Sequence, residues 1–197
     1  MKNMNNISFQ SRIRPISKNE FSKITSSYGQ KVFVDYPWTV KESVLDKKAY
    51  TKGVFDCTVC GITDGLKVLM LHICPTRKEN ANFNVIIDFI KKKLDLKDSN
   101  LQGFLLGSKN LPCLGKKSEE IFHNFEKFFE KHNIPYSKIK GGLHVNDVAY
   151  SSTTDEWLVS HEMLENENMK KIHRTPAKFL KEFYNDVKIS ELDELSW

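Results

Sequence analysis

VFDCTVCGITDGLKVLMLHI, residues 54–73, is the stretch that decides the fold of this chain. Residues 54–63 are rich in β-branched and small apolar side chains, and residues 66–73 form a second apolar run. Between the two runs lies Asp64-Gly65, a dipeptide typical of a two-residue type I′ turn. The stretch therefore predicts a β-hairpin, and the strands of this hairpin are expected to lie in the core.

A two-residue turn sets the pairing of the two strands, and here it has a chemical consequence. If the ladder has no bulge, it places Cys57 directly opposite His72, with their Cβ atoms about 4.5–5.5 Å apart. Only a thiolate attacks well, and a neighbouring imidazole can take the thiol proton to give an ion pair that is reactive at neutral pH. The opposing interpretation is a small buried Cys and a structural His, which is the commoner role of each residue alone.

The four cysteines allow two further interpretations. Cys57-Thr-Val-Cys60 is a C-x-x-C pattern, but its Thr-Val favours a continuous strand, which would point the two thiols to opposite faces instead of opening a redox helix. Zinc bound by Cys57, Cys60, His72 and Cys74 is a second possibility, although no tight turn is indicated between the first two. Cys113 completes the set, and without a signal peptide reduced thiols are expected.

Hydrophobic periodicity predicts the elements around the hairpin. Helices are expected over 82–94 and from Ser118 to just before Asn133, each with apolar residues at spacings of three and four. Further strands are expected over 32–36, 101–106, 136–140, 144–151 and 156–160. Thr175-Pro176 indicates the start of another helix.

These elements predict an α+β fold, with a β-sandwich-like core of mostly antiparallel strands and two packed helices. Residues 1–30 are polar and are expected to form a flexible or loosely packed arm. Residues 31–160 are the predicted catalytic domain, and 161–197 a helical C-terminal extension.

Composition excludes several classes of protein. The 197 residues are 40% hydrophobic and 28% charged, which is ordinary for a globular protein. No apolar run is long enough to span a membrane, and the N-terminal segment does not resemble a signal peptide. The net charge of +5 comes from scattered lysines, without the basic stripe and exposed aromatic residues expected of a nucleic-acid-binding protein.

At residues 50–160 the pattern resembles the CheD chemoreceptor glutamine deamidases and, more distantly, the catalytic domain of the cytotoxic necrotising factor toxins. In that superfamily a strand carries the nucleophilic Cys, the next strand carries a His, and many members have a Thr six residues before the Cys, as Thr51 is here. The later segments that carry the resemblance, in order, are 104–110 (FLLGSKN), 118–132, 133–135 (NIP), 140–142 (KGG), 145–150 and 157–159 (WLV). Phe55-Asp56 stands where members of that family usually have Gly-Ser before the nucleophile, at residues that shape the oxyanion hole.

The resemblance implies a protein-glutamine deamidase with the triad Cys57, His72 and Thr51. Cys57 would attack the side-chain amide, His72 would move the protons, and Thr51 would orient the imidazole, with no metal or organic cofactor. Because Thr51 and His72 are too far apart on a straight strand, a bend at Gly53 is expected. The alternatives are a transglutaminase that uses the same site and a non-catalytic or zinc-stabilised interaction domain.

The expected partner is a substrate protein that carries the target glutamine, and the sequence leaves that protein and the oligomeric state undetermined. Residues 189–197 form a short apolar segment with acidic residues, which resembles secretion signals of bacterial effectors. A plain amphipathic helix end is the alternative. The expected location is therefore the bacterial cytoplasm or, for an effector or toxin, the host cytoplasm.

Overall fold

The hairpin strands belong to a two-sheet fold, seen in a computed structural model that describes residues 12–34, 44–75, 83–107, 115–140 and 144–163. The strands are β1 (Arg12–Ile16), β2 (Val44–Asp46), β3 (Lys48–Val54), β4 (Thr58–Thr63), β5 (Val68–Ile73), β6 (Gln102–Gly107), β7 (Tyr136–Lys140), β8 (His144–Ser151) and β9 (Glu156–Met163). The helices are α1 (Lys18–Ser26), α2 (Phe83–Lys93) and α3 (Gly115–Lys131), with a 3-10 turn at Gln30–Val32.

The strands form two sheets in which most neighbours are antiparallel. The first sheet has the order β1-β9-β8-β3, and the second has the order β2-β5-β4-β6-β7. The two exceptions are the outer pairs β1–β9 and β6–β7, which are parallel. The chain passes from the first sheet to the second between β3 and β4, which are separated only by residues 55–57.

The sheets pack face to face, and helices cover both outer faces. Alternate residues of β4 and β5 point into the layer between the sheets, where Val59 and Met70 meet Val148 and Trp157 of the first sheet. The residues in between point outward onto α2 and α3. On the opposite side, Phe21 of α1 packs on the outer face of the first sheet. The result is a helix–sheet–sheet–helix arrangement of the described residues.

The predicted turn of the β4–β5 hairpin is wrong by one pair of residues. Thr63 lies opposite Val68, so the loop contains the four residues 64–67 instead of two. The Asp64 side chain explains the longer loop, because its Oδ1 accepts hydrogen bonds from the backbone N–H groups of Leu66 at 2.8 Å and Lys67 at 2.7 Å. The shift moves each residue two positions along the ladder and leaves it on its predicted face.

The predicted loose arm over residues 1–30 also differs from the structure. Residues 12–26 form β1 and α1, and Phe21 is fully buried. The sequence contains a capping signal that the prediction missed, since Ser17 caps α1 and accepts a hydrogen bond from the backbone of Glu20. Arg12 then holds β1 to β9 through a 2.6 Å ion pair with Glu156. Residues 1–11 lie outside the described part of the chain.

Other predictions of the elements are confirmed or shifted slightly. The α+β class, the mostly antiparallel sheets and the helices near 82–94 and 118–132 are as expected. The predicted strand over 32–36 is replaced at its start by the 3-10 turn, and β9 extends three residues past the expected domain limit at 160. The helix expected at Thr175-Pro176 and the rest of 164–197 lie outside the described residues. No described helix has the length and apolar character needed to cross a bilayer.

Candidate active site

The three residues predicted to act together come from both sheets. Thr51 lies on β3 in the first sheet, His72 lies on β5 in the second, and Cys57 lies just before β4. The chain bends at Gly53, as predicted, where a positive φ of 70° coincides with a register irregularity between Thr51 and Val54. Because the bulge adds one residue to β3, Val54 points to the inner face, as Thr51 does. The chain then crosses to the second sheet at residues 55–57.

Thr51 and His72 meet in the layer between the sheets. Their contact is a hydrogen bond of 2.6 Å between Thr51 Oγ1 and His72 Nδ1. Thr51 is fully buried and His72 is 4% exposed, so the contact is shielded from water. Because the two strands belong to different sheets, this hydrogen bond depends on how the sandwich packs and not on any strand register.

Burial controls the charge of His72. The imidazole is surrounded by the apolar layer between the sheets, and loss of hydration lowers its pKa from 6.5 to about 3. The ring is therefore neutral at physiological pH. A neutral imidazole that donates from Nδ1 carries a lone pair at Nε2, and this tautomer is the one suited to accept a proton.

Cys57 lies in the same layer and is also protonated. It is 3% exposed, and its Sγ lies 3.7 Å from Oδ1 of Asp56. A hydrogen bond with Cys74, then burial, then the negative charge of Asp56 raise the pKa of the Cys57 thiol well above its ordinary value. The expected thiolate–imidazolium pair is therefore corrected to a neutral thiol and a neutral imidazole.

Cys57 and His72 share a face without being directly opposite. The residue opposite His72 is Val59, two positions after Cys57, so Cys57 and His72 are diagonal neighbours. Diagonal positions on one face of an antiparallel pair are separated by about 7–8 Å, which long side chains can bridge. The prediction that the two residues share a face is confirmed. The prediction that they lie directly opposite each other is wrong, because the loop is two residues longer than the Asp64-Gly65 signal indicates.

The Cys57–Cys60 pattern forms neither of the sites considered from the sequence. Cys57 points between the sheets, whereas Cys60 is buried on the opposite face beneath the helices. The two thiols therefore point away from each other, as the intervening Thr-Val predicted. The four-ligand zinc interpretation needs Cys60 on the inner face, and the described residues contain no group of three or more His, Cys, Asp or Glu arranged to hold a metal ion.

Two residues of this region were not predicted as parts of the catalytic group. Cys74, considered from the sequence only as a possible zinc ligand, interacts with Cys57, and extending the observed hairpin register beyond its last pair would place it opposite Cys57. Asp147 on β8 accepts a 2.9 Å hydrogen bond from the backbone N–H of Gly53 and so holds the bulge that follows Thr51. No sequence signal links Asp147 to Gly53, because their pairing joins strands 94 residues apart.

Gly107 at the end of β6 explains how closely the segment at Cys57 is packed. A Cβ atom at this position would lie 3.1 Å from the Cys57 carbonyl oxygen and 2.9 Å from Thr58 Oγ1. Contacts this short would force the backbone at Cys57 to move. The close approach of β6 therefore helps to set the position of the thiol.

No model of a known protein family matches this chain. A search of curated proteins found no significant match either.

Proposed function

We propose that this protein is a cysteine-dependent protein-glutamine deamidase. The observation that carries the proposal is the buried 2.6 Å hydrogen bond between Thr51 and His72, with Cys57 on the same face as the imidazole. A cross-sheet contact between a hydroxyl and an imidazole beside a thiol is the arrangement expected of a nucleophile, a base and an orienting group. The resemblance to the CheD deamidases supplies the substrate class.

The neutral state of both groups determines how the reaction starts. Nδ1–H of His72 donates to Thr51 Oγ1, and Nε2 takes the thiol proton of Cys57 as the sulfur attacks the glutamine side-chain carbon. The negative charge moves to the amide oxygen, where backbone N–H groups near Cys57 stabilise it. His72 then returns the proton to the departing ammonia, which leaves a thioester on Cys57.

Water completes the cycle. His72 removes a proton from water as the oxygen attacks the thioester carbon, and the Cys57 sulfur leaves with that proton. The product is glutamate, and no oxidant, metal or cofactor takes part in this sequence. If an amine replaces water in this step, its nitrogen forms the new amide bond to the side-chain carbon, the Cys57 thiol leaves, and the same residues act as a transglutaminase.

The test is conversion of glutamine to glutamate in proteins of a bacterial or host-cell lysate, read by mass spectrometry of peptides. Wild-type protein is expected to convert a specific glutamine, and Cys57→Ser is expected to be inactive. Cys60→Ser is the matched control, because Cys60 is equally buried but points to the helices. Equal conversion by wild type and Cys57→Ser would overturn the proposal.

Thr51 has a sharper test through two substitutions. Thr51→Ser keeps the hydroxyl beside Nδ1 and is expected to retain most activity, whereas Thr51→Val keeps the shape and removes the hydrogen bond. Mispositioned catalytic groups cost on the order of 100-fold in rate, so Thr51→Val is expected to lower kcat strongly. If the two variants are equally active, Thr51 does not orient the base.

The burial of Cys57 and His72 favours one second candidate, a non-catalytic interaction domain that keeps these residues as core. That candidate predicts no change in any glutamine of either lysate. It also predicts that Cys57→Ser and Cys60→Ser lower stability by similar amounts.

A further inference from the structure

Cys57 lies beside a second thiol, Cys74, that the proposed deamidase mechanism does not use. The ladder ends with Thr58 opposite Ile73, and Cys57 and Cys74 are the next residues beyond it on the two chains, so extending the same register would place them opposite each other. Neither cysteine is in a disulfide, and both belong to the cluster between the sheets, where they are 3% and 7% exposed. The interaction with Cys74 is the largest cause of the raised pKa of the Cys57 thiol. The pairing is therefore inferred first from strand register and shared burial, and the effect on the pKa agrees with it.

Opposed positions on an antiparallel pair lie close to the spacing that a disulfide needs. Opposed residues on one face have Cβ atoms about 4.5–5.5 Å apart, and disulfides need about 3.5–4.5 Å, so closure needs a movement of roughly 1 Å. Cys60 cannot compete with Cys74, since it lies on the other face of β4. Cys57 therefore has one described thiol within reach.

We infer that Cys57 and Cys74 form a reversible cross-strand disulfide when the protein meets a peroxide, and that this bond protects Cys57 while it switches the site off. The formation of the bond is independent of any activity. The switching role rests on the proposed deamidase function, because it requires Cys57 to be the nucleophile.

The reaction balances with hydrogen peroxide as the oxidant. The Cys57 sulfur attacks one peroxide oxygen, the O–O bond breaks, and the products are a sulfenic acid and water. The Cys74 sulfur then attacks the sulfenic sulfur, the S–O bond breaks, and a second water leaves with the Cys74 proton. Two thiols and one peroxide thus give one disulfide and two waters. A thiol reductant reverses the bond by thiol–disulfide exchange.

The primary test is peptide mapping of the full chain after treatment with hydrogen peroxide, without reduction. A cross-linked peptide pair containing Cys57 and Cys74 is expected, and dithiothreitol should release it. Cys60→Ser and Cys113→Ser are expected to form the same cross-link, and Cys74→Ser is expected to form none. Pairing of Cys57 with another cysteine, or two thiols that stay reduced, would overturn the inference.

A second measurement examines the protective role. In Cys74→Ser, and in Cys74→Ala if the first variant is unstable, Cys57 is expected to proceed to the sulfinic acid, which thiol reductants do not reverse. Wild type should recover its free thiol with dithiothreitol after the same exposure. Equal recovery in wild type and variant would show that Cys74 does not protect Cys57.

Glutamine conversion, measured on the same samples, separates this inference from the proposed function. Activity that is lost with the cross-link and restored with dithiothreitol supports both. If the protein forms the reversible cross-link but converts no glutamine, the inference of a disulfide stands. The proposed deamidase function and the switching role are then overturned. Full activity with the cross-link present would overturn the switch alone.

Discussion

At the scale of single residues, the environment of Cys57 decides its reactivity. Two neighbouring groups, Cys74 and Asp56, and burial between the sheets raise the pKa of its thiol, and Asp56 is the carboxylate of the pair. An acidic neighbour favours the protonated thiol. In the proposed mechanism, removal of that proton is therefore the task of His72.

The first prediction concerns this carboxylate. Asp56→Asn keeps the shape and removes the charge, so the pKa of Cys57 should fall and its alkylation by iodoacetamide at neutral pH should accelerate. One unit of pKa corresponds to about a tenfold change in the thiolate fraction while the thiol is mostly protonated. Asp88→Asn, an exposed position on α2, removes the same charge elsewhere and should leave the rate unchanged. Equal rates in both variants would contradict the role of Asp56.

At the scale of elements, two irregularities set the site. The four-residue loop at 64–67 determines which residues of β4 and β5 lie opposite, and the bulge at Gly53 determines where β3 ends. Both irregularities are held by an aspartate that accepts backbone N–H groups, Asp64 in the loop and Asp147 at the bulge. The loop is therefore stabilised by its own first residue, and the bulge is stabilised by a residue of the neighbouring strand β8.

The second prediction tests the bulge. Asp147→Ala removes the acceptor for Gly53 N–H, a partly buried group, and should lower the free energy of unfolding by about 1–3 kcal/mol. Asp147→Asn keeps an acceptor oxygen and should lose much less. Urea unfolding measures the difference. If Thr51 is held by this bulge, glutamine conversion should fall in the alanine variant more than in a variant of equal stability elsewhere.

At the scale of the whole molecule, the packing of the two sheets determines both stability and the site. Trp157 is 1% exposed, stacks on Phe104 at 4.5 Å between ring centroids, and lies directly over Gly61. The same layer contains the Thr51–His72 hydrogen bond and the thiols of Cys57 and Cys74. Any change in the spacing of the sheets therefore changes the site as well as the core.

The third prediction concerns Gly61. A Cβ atom there would lie 2.0 Å from Cη2 of Trp157, so Gly61→Ala should destabilise the protein by about 1–3 kcal/mol or more. Trp157→Phe removes the ring atoms that would collide with the new methyl group, and it lowers the free energy of unfolding by itself because the smaller ring packs less well. In a double-mutant cycle the two costs should be less than additive, because the smaller ring makes room for the methyl group. Additive costs would contradict this account of the clash.

The fourth prediction is the stability of the protein in acid. The pKa of His72 is about 3 in the folded chain and 6.5 as an ordinary value, so between these pH values the unfolded chain holds a proton that the folded chain lacks. Its contribution to the free energy of unfolding is complete above pH 6.5 and is lost as pH falls toward 3, by about 1.4 kcal/mol per unit at the steepest.

His72→Asn serves as the comparison, because its amide can still meet Thr51 but does not titrate. Urea midpoints from about pH 7 to about pH 4 should fall more steeply in wild type than in the variant. Parallel slopes would show that His72 is not a buried neutral imidazole.

The sequence by itself determined the local elements and the faces of their strands. Hydrophobic periodicity placed most strands and two helices, and the strict alternation along a strand put Cys57 and His72 on one face for any loop with an even number of residues. Periodicity is a property of neighbouring residues, so it can be read without knowledge of the fold. The predicted loose arm shows the limit of this approach, since β1 and α1 are stabilised by packing against β8 and β9.

Only the tertiary structure decided which residues meet. The hydrogen bonds of Asp64 stabilise a longer loop, which places Val59 and not Cys57 opposite His72, and the packing of one sheet on the other brought Thr51 to His72. The charge states followed from the same packing, because desolvation and the neighbours of a thiol depend on residues far away in the chain. Contacts across a sandwich join residues with no local relation, and for that reason no pattern within residues 54–73 could specify them.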